Sequence, residues 1–218
     1  MKNKKRLYFA VLMLICFVIW TMLIKSVDVK PIGPDGSTVG FATVNGFIHN
    51  ITGKNMTLYT ITDWLGLVPF IIAFCFAVLG LVQWIKRKHI LKVDFSLLIL
   101  GGFYIATIAV YLLFEMVVIN YRPILIEGYL EASYPSSTTM LTMCVIPTTV
   151  IELNSRIKNK FLSRGIAVVF TAFTVFMVFA RFVSGVHWFT DIVGGILCSV
   201  GLVSLYIFLK MLDKANKI

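Results

Sequence analysis

Charge is what this chain of 218 residues has least of: 14% is charged and 59% hydrophobic. A chain so poor in charge cannot cover a domain of this size with a water-compatible surface, which argues against a soluble globular protein. Cysteine is also scarce. Cys16, Cys75, Cys144 and Cys198 all fall in apolar stretches and none stands at C-x-x-C spacing, so neither a disulfide framework nor a zinc site is indicated. No cofactor or metal is expected. Internal repeats and low-complexity runs are missing too, and residues 1–218 read as one domain.

What is abundant is apolar sequence in runs. Six stretches, at about 7–24, 64–85, 95–119, 138–153, 165–182 and 190–212, mostly reach the roughly 20 residues that cross a hydrocarbon core. The expected fold class is all-α, a polytopic membrane protein with six transmembrane helices. The first stretch follows Lys2, Lys4, Lys5 and Arg6 like a secretory leader, but it is long and lacks an A-x-A cleavage pattern, so it reads as a retained span.

The basic residues set the orientation. Lys and Arg gather before the first span, in 86–92, in 156–164 and after 209, whereas the intervening connections hold only Lys25, Lys30, Lys54, Arg122 and Arg181. By the positive-inside rule both termini are cytoplasmic. The net charge of +10 is then explained by topology and by contacts with anionic lipid heads, and nucleic acid is not an expected partner. An integral protein of a bacterial plasma membrane is the expected placement. No oligomeric state is read from the sequence.

The longest extracytoplasmic connection is expected over 25–63. Within it Phe41, Val44, Phe47, Ile48 and Ile51 recur at three- and four-residue intervals, which predicts a short amphipathic helix. Such a helix either lies in the outer interface at a lipid entrance or packs on the bundle as a lid.

Polar groups concentrate at the outer ends of spans 3 to 6: Glu115, Arg122, Glu127, Glu131, Ser136, Ser137, Thr138, Arg181, His187 and Asp191. Ionisable groups at membrane depth are costly, so their clustering marks a functional site. His187 and Asp191 stand four apart, on one face of a helix beginning near His187. A carboxylate there would accept the Nδ1 proton of the imidazole and leave Nε2 with a free lone pair, as in an oriented nucleophile or base. Arg122 and Arg181 offer planar forks for phosphoryl oxygens. Ser136 or Ser137 would cap the fourth span, whose first amides face the same region. Each feature alone has a structural explanation, as an interfacial anchor or a helix cap. Together they form a phosphoryl-transfer set.

These residues resemble the type 2 phosphatidic acid phosphatase superfamily of integral lipid phosphatases. Its third block, Ser-Arg, five residues, His, three residues and Asp, reads here as Ala180-Arg181, FVSGV, His187, WFT and Asp191, departing only at its first residue. Its second block, Pro-Ser-Gly-His, reads here as Pro135-Ser136-Ser137-Thr138, and its first, a Lys seven residues before Arg-Pro, ends in Arg122-Pro123 but begins with Glu115. The resemblance implies that His187 attacks phosphorus to give a phosphohistidine, with Asp191 orienting it. It makes Arg122, Arg181, Ser136, Ser137 and the 136–138 backbone the phosphate cradle.

The family's acid has no counterpart, because Thr138 is too weak a proton donor near neutral pH. Glu115 stays open between three readings: kept protonated beside phosphate, sharing a divalent cation with it, or supplying the missing proton. A positioned acid is worth about 10²–10⁴ in rate, more for an alkoxide than for a departing phosphate monoester. The expected function is therefore a lipid phosphatase leaning to polyprenyl-diphosphate-type substrates. The alternative is a lipid-phosphate-binding pseudoenzyme of the same fold. A transporter is disfavoured, since no paired broken-helix pattern is visible.

Overall fold

The computed structural model describes residues 2–215. The chain is helical almost throughout: α1 (Lys2–Ser26), α2 (Ala42–Thr52), α3 (Met56–Leu65), α4 (Leu67–Arg87), α5 (Phe95–Met116), α6 (Ser137–Arg156), α7 (Lys160–Val183) and α8 (Phe189–Ala215). β-structure among the described residues is confined to isolated bridges. In lipid no water can satisfy the backbone, so uninterrupted apolar runs such as those of α1, α4, α5, α7 and α8 are driven into helix.

Among the described residues five segments are long and apolar enough to cross a membrane: Lys4–Ser26, Met56–Arg87, Phe95–Met116, Lys160–Val183 and Phe189–Leu212. Phe74, Ile105 and Val168 project from α4, α5 and α7 with 67%, 71% and 68% of their surface exposed, as lipid-facing side chains do. The fourth expected span, α6, has another character. Its 20 residues would reach about 30 Å at 1.5 Å per residue. Yet it carries Thr139, Thr142, Thr148 and Thr149, all buried. A helix enclosed by the others need not be apolar on every side, which is why it falls short of the apolarity of a lipid-facing span.

Packing rather than water exclusion holds such helices together, with small residues allowing close approach. Gly201 of α8 is an example: a Cβ there would lie 2.7 Å from Leu14 Cδ2 of α1. Phe17, Leu100, Phe103, Tyr104, Met140, Cys144 and Tyr206 fill the core where α1, α5, α6 and α8 meet. At the end of the bundle away from His187, Glu152 is fully buried and accepts hydrogen bonds from Tyr206 (2.5 Å) and Lys210, while Arg156 bridges it to Asp94 before α5.

The expected 25–63 connection is corrected in its second half. Residues 56–65 are α3, running into α4 through Gly66 as an extension of the same segment. Asn55 starts this helix, its Oδ1 accepting from Leu58 N at 2.9 Å. The predicted amphipathic helix is α2. Its inner face docks on α8, with Asn45 Nδ2 donating to Thr190 Oγ1 (3.0 Å) and Asn45 Oδ1 accepting from Thr190 N (3.2 Å). Its opposite face exposes Phe47 and Ile51.

Candidate active site

Two connections meet at His187, and a third segment holds Arg181. The first is the turn that carries it, residues 184–188 between α7 and α8. Gly185 has φ +66°, and a Cβ there would lie 1.7 Å from the Gly53 carbonyl oxygen, so only glycine lets this turn press against the end of α2. Asn55 N donates to Ser184 O at 2.9 Å and fixes the contact. The second is the connection between α5 and α6, which folds back on itself. Arg122 N donates to Glu131 O (3.0 Å) and Ser133 N to Asn120 O (2.9 Å), so that Asn120, Arg122 and Ser133 arrive side by side. The third is α3, whose Thr62 receives Arg181.

The His187 imidazole is enclosed, with 1% of its side chain exposed. Arg122 Nη1 lies 3.3 Å from Nε2. A guanidinium can only donate, so Nε2 meets it as a lone pair. Ser133 approaches the other nitrogen, with its carbonyl oxygen 3.1 Å and its Oγ 3.0 Å from Nδ1. Asp191 Oδ2 is 4.0 Å away, beyond hydrogen-bonding range. The expected direct acceptance of the Nδ1 proton by Asp191 is thus corrected, because Ser133 stands between the two. The carboxylate is itself saturated, accepting from Ser133 Oγ (2.5 Å), Trp188 N (3.0 Å) and Asn120 Nδ2 (3.1 Å).

Both arginines are buried, Arg181 with 1% and Arg122 with 8% of the residue exposed. Arg181 lies over the Tyr59 ring at 4.8 Å, donates from Nη1 to Thr62 Oγ1 (3.1 Å) and has Nη2 3.6 Å from Asp63 Oδ1. Arg122 Nε is 3.0 Å from Glu131 Oε2 without its N–H aimed there, and the Nε atoms of both arginines lack a hydrogen-bond partner. Burial, and then the charges of Arg122 and Arg181, hold the His187 imidazole well below its ordinary pKa. All three groups therefore share one electrostatic neighbourhood.

Ser136 occupies the N-cap position of α6, with its backbone N–H on the Asp191 carbonyl oxygen at 3.1 Å. The expected cap is corrected: its hydroxyl makes no capping bond, and Oγ is fully buried without a partner. The hydroxyl is thus a buried polar group left without a partner among the described residues. Ser137 and Glu115 line one narrow cleft with Ser133 and His187, and Thr138 turns towards α3, its Cγ2 3.7 Å from where a Gly66 Cβ would be. His49 lies against Trp188, ring centroids 5.5 Å apart, with Nδ1 buried and unpartnered and its pKa lowered by burial. No group of three or more His, Cys, Asp or Glu among the described residues is placed to hold a metal.

Sequence reasoning missed Asn120, Ser133, Tyr59, Thr62 and Asp63. Ser133 stands two residues before Pro135, but the fold-back that sets it against His187 has no hydrophobic period to betray it.

The buried His187 imidazole with Arg122 on its Nε2, the buried Arg181 and the start of α6 gather at one end of a helical membrane bundle. The family model of the PAP2 superfamily matches residues 119–217 of the chain. That region takes in Arg122, Ser136, Arg181, His187 and Asp191. No curated protein sequence matches the chain. Among solved structures it is similar to the first transmembrane PAP2 type phosphatidylglycerolphosphate phosphatase from Bacillus subtilis. The identity is 18% and the TM-score 0.59, over 95% of this chain and 97% of that one, so the likeness is one of fold.

Proposed function

We propose that the protein is a membrane lipid phosphatase in which His187 forms a phosphohistidine, with polyprenyl-type lipid diphosphates as favoured substrates. One observation carries this reading: Nε2 of His187 faces the Arg122 guanidinium as a lone pair, while the Nε atoms of Arg122 and Arg181 and the hydroxyl of Ser136 are buried without partners. These are donors waiting for an anion and a nucleophile waiting for an electrophile.

In the proposed reaction the terminal phosphate displaces Arg122 from Nε2. Arg122, Arg181, Ser136, Ser137 and the amides at the start of α6 take its oxygens. The Nε2 lone pair attacks phosphorus, the phosphorus–oxygen bond breaks, and its electron pair leaves with the lipid phosphate. Water then attacks the phosphohistidine to release inorganic phosphate. With Thr138 at the acid position the leaving group departs unprotonated, as a phosphate monoester can and an alkoxide cannot readily do. Support for six spans comes from the length of α6, and the basic clusters favour cytoplasmic termini with the site facing outside a bacterial plasma membrane.

The second reading, a lipid-phosphate-binding pseudoenzyme, is favoured by one feature. Glu115 lines the same cleft as His187, where an ionised carboxylate repels phosphate. Turnover by purified protein on a prenyl diphosphate and on phosphatidic acid separates the two. Phosphate release from the diphosphate, faster than from phosphatidic acid, supports the enzyme. Saturable binding without release supports the pseudoenzyme.

A further inference from the structure

We infer that Ser133 is the positioning residue of His187: it, and not Asp191 directly, sets which imidazole nitrogen is protonated and carries the influence of the Asp191 charge to the ring. This rests on reading His187 as the nucleophile.

The argument is a count of protons. Ser133 has one hydroxyl proton. Asp191 Oδ2, 2.5 Å from Ser133 Oγ, also accepts from Trp188 N at 3.0 Å, while Oδ1 accepts from Asn120 at 3.1 Å. Three donors on one carboxylate are the arrangement of an ionised group, so the serine proton is spent on Asp191. Towards Nδ1, at 3.0 Å, Ser133 Oγ can then only accept. The Ser133 carbonyl oxygen, at 3.1 Å from the same nitrogen, accepts by nature. Both oxygens of one residue therefore call for a proton on Nδ1. From the other side Arg122 calls for a lone pair on Nε2. The two constraints agree, and no second tautomer satisfies either.

The arrangement has a consequence for reaction. When Nε2 takes phosphorus, the ring becomes cationic and its Nδ1–H bond to Ser133 strengthens. The serine in turn leans on Asp191, so positive charge is stabilised through two hydrogen bonds in series. Ser133 is held for this by its place in the fold-back, its N–H on Asn120 O at 2.9 Å, and is itself 2% exposed. Asn120 thus serves twice, aligning the serine through its backbone and the carboxylate through its amide.

The test combines kinetics with ¹⁵N-histidine NMR of the full chain in detergent, the His187 signals being assigned by their loss in His187→Asn. Wild type is expected to show Nδ1 protonated and Nε2 bare near neutral pH. Ser133→Ala should shift both nitrogens and lower kcat by about 10–100-fold, the scale of losing an outer partner of a metal-bound imidazole, with little change in KM. Adding Asp191→Asn to Ser133→Ala should cost less than the product of the two single effects, since both break one line. Should the alanine variant not fold, Ser133→Thr and Ser133→Val, alike in shape and differing in the hydroxyl, carry the comparison, with threonine alone restoring rate and signals. Unshifted nitrogens together with unchanged kcat, or strictly multiplicative losses, overturn the inference. Absence of turnover in wild type counts against the functional reading, and the nitrogen spectra then decide the role of Ser133 alone.

Discussion

Arg122 Nη1 lies 3.3 Å from Nε2 of His187, so that a guanidinium of the proposed cradle rests on the proposed nucleophile. A phosphate must draw the arginine away before the imidazole can attack. Arg122→Ala should uncover Nε2 yet lose the charge that binds and stabilises the phosphoryl oxygens. The expected fall in kcat/KM is about 10²–10³-fold, as for the loss of one oxyanion donor. Arg122→Lys should recover only part of it, because an ammonium cannot reproduce the planar fork. Steady-state kinetics on a prenyl diphosphate checks both.

Each arginine also has a carboxylate nearby, Glu131 at 3.0 Å from Arg122 and Asp63 at 3.6 Å from Arg181. Both carboxylates are partly solvated, with 43% and 58% of the side chain exposed, so they are weak competitors for the site. Glu131→Gln should lower KM for a lipid diphosphate by a few-fold, within the roughly 0–1 kcal/mol of an exposed pair, and leave kcat nearly unchanged. A raised KM would show that Glu131 holds Arg122 in place.

The pH profile follows from the environment of His187. Burial first, and Arg122 and Arg181 second, depress its pKa, so the neutral, nucleophilic form persists as pH falls through the usual imidazole range. The acid limb of kcat/KM, which reports the free protein, should therefore lie well below 6.5. Removing one of the depressing charges by Arg122→Gln should move that limb upward. A wild-type limb at or above 6.5 would contradict the geometry.

Restoring the family residues tests the leaving-group argument. Thr138→His supplies an acid and Glu115→Lys a cation. The pair should raise hydrolysis of phosphatidic acid by at least about 10²-fold, the lower end of what a positioned acid contributes, and that of a prenyl diphosphate by much less. Equal gains on both substrates would remove the case for a diphosphate preference.

The helices were legible because burial in lipid enforces long apolar runs, and α2 because its apolar period survives a Pro- and Gly-rich approach. The placement of Arg122, Arg181 and His187 in one neighbourhood was legible from motif spacing. The fourth span was legible too, with only its limits blurred by the buried threonines of the enclosed α6. One thing was not. The pairing of Arg122 with Glu131 and of Ser133 with Asn120 depends on backbone hydrogen bonds between residues with no alternating pattern, and so Ser133 could not be seen standing between His187 and Asp191. Asn55 and α3 were hidden for a related reason, since a polar start to an apolar helix reads as loop until its cap is seen.

The central claim is that Nε2 of His187 takes phosphorus. Brief incubation of purified protein with a prenyl diphosphate labelled in its terminal phosphate, followed by alkaline quench and peptide mapping, tests it most directly. The account predicts an acid-labile, alkali-stable label on the peptide carrying His187, absent from His187→Asn. Phosphate release without any label on that histidine, or undiminished release by His187→Asn, would contradict it.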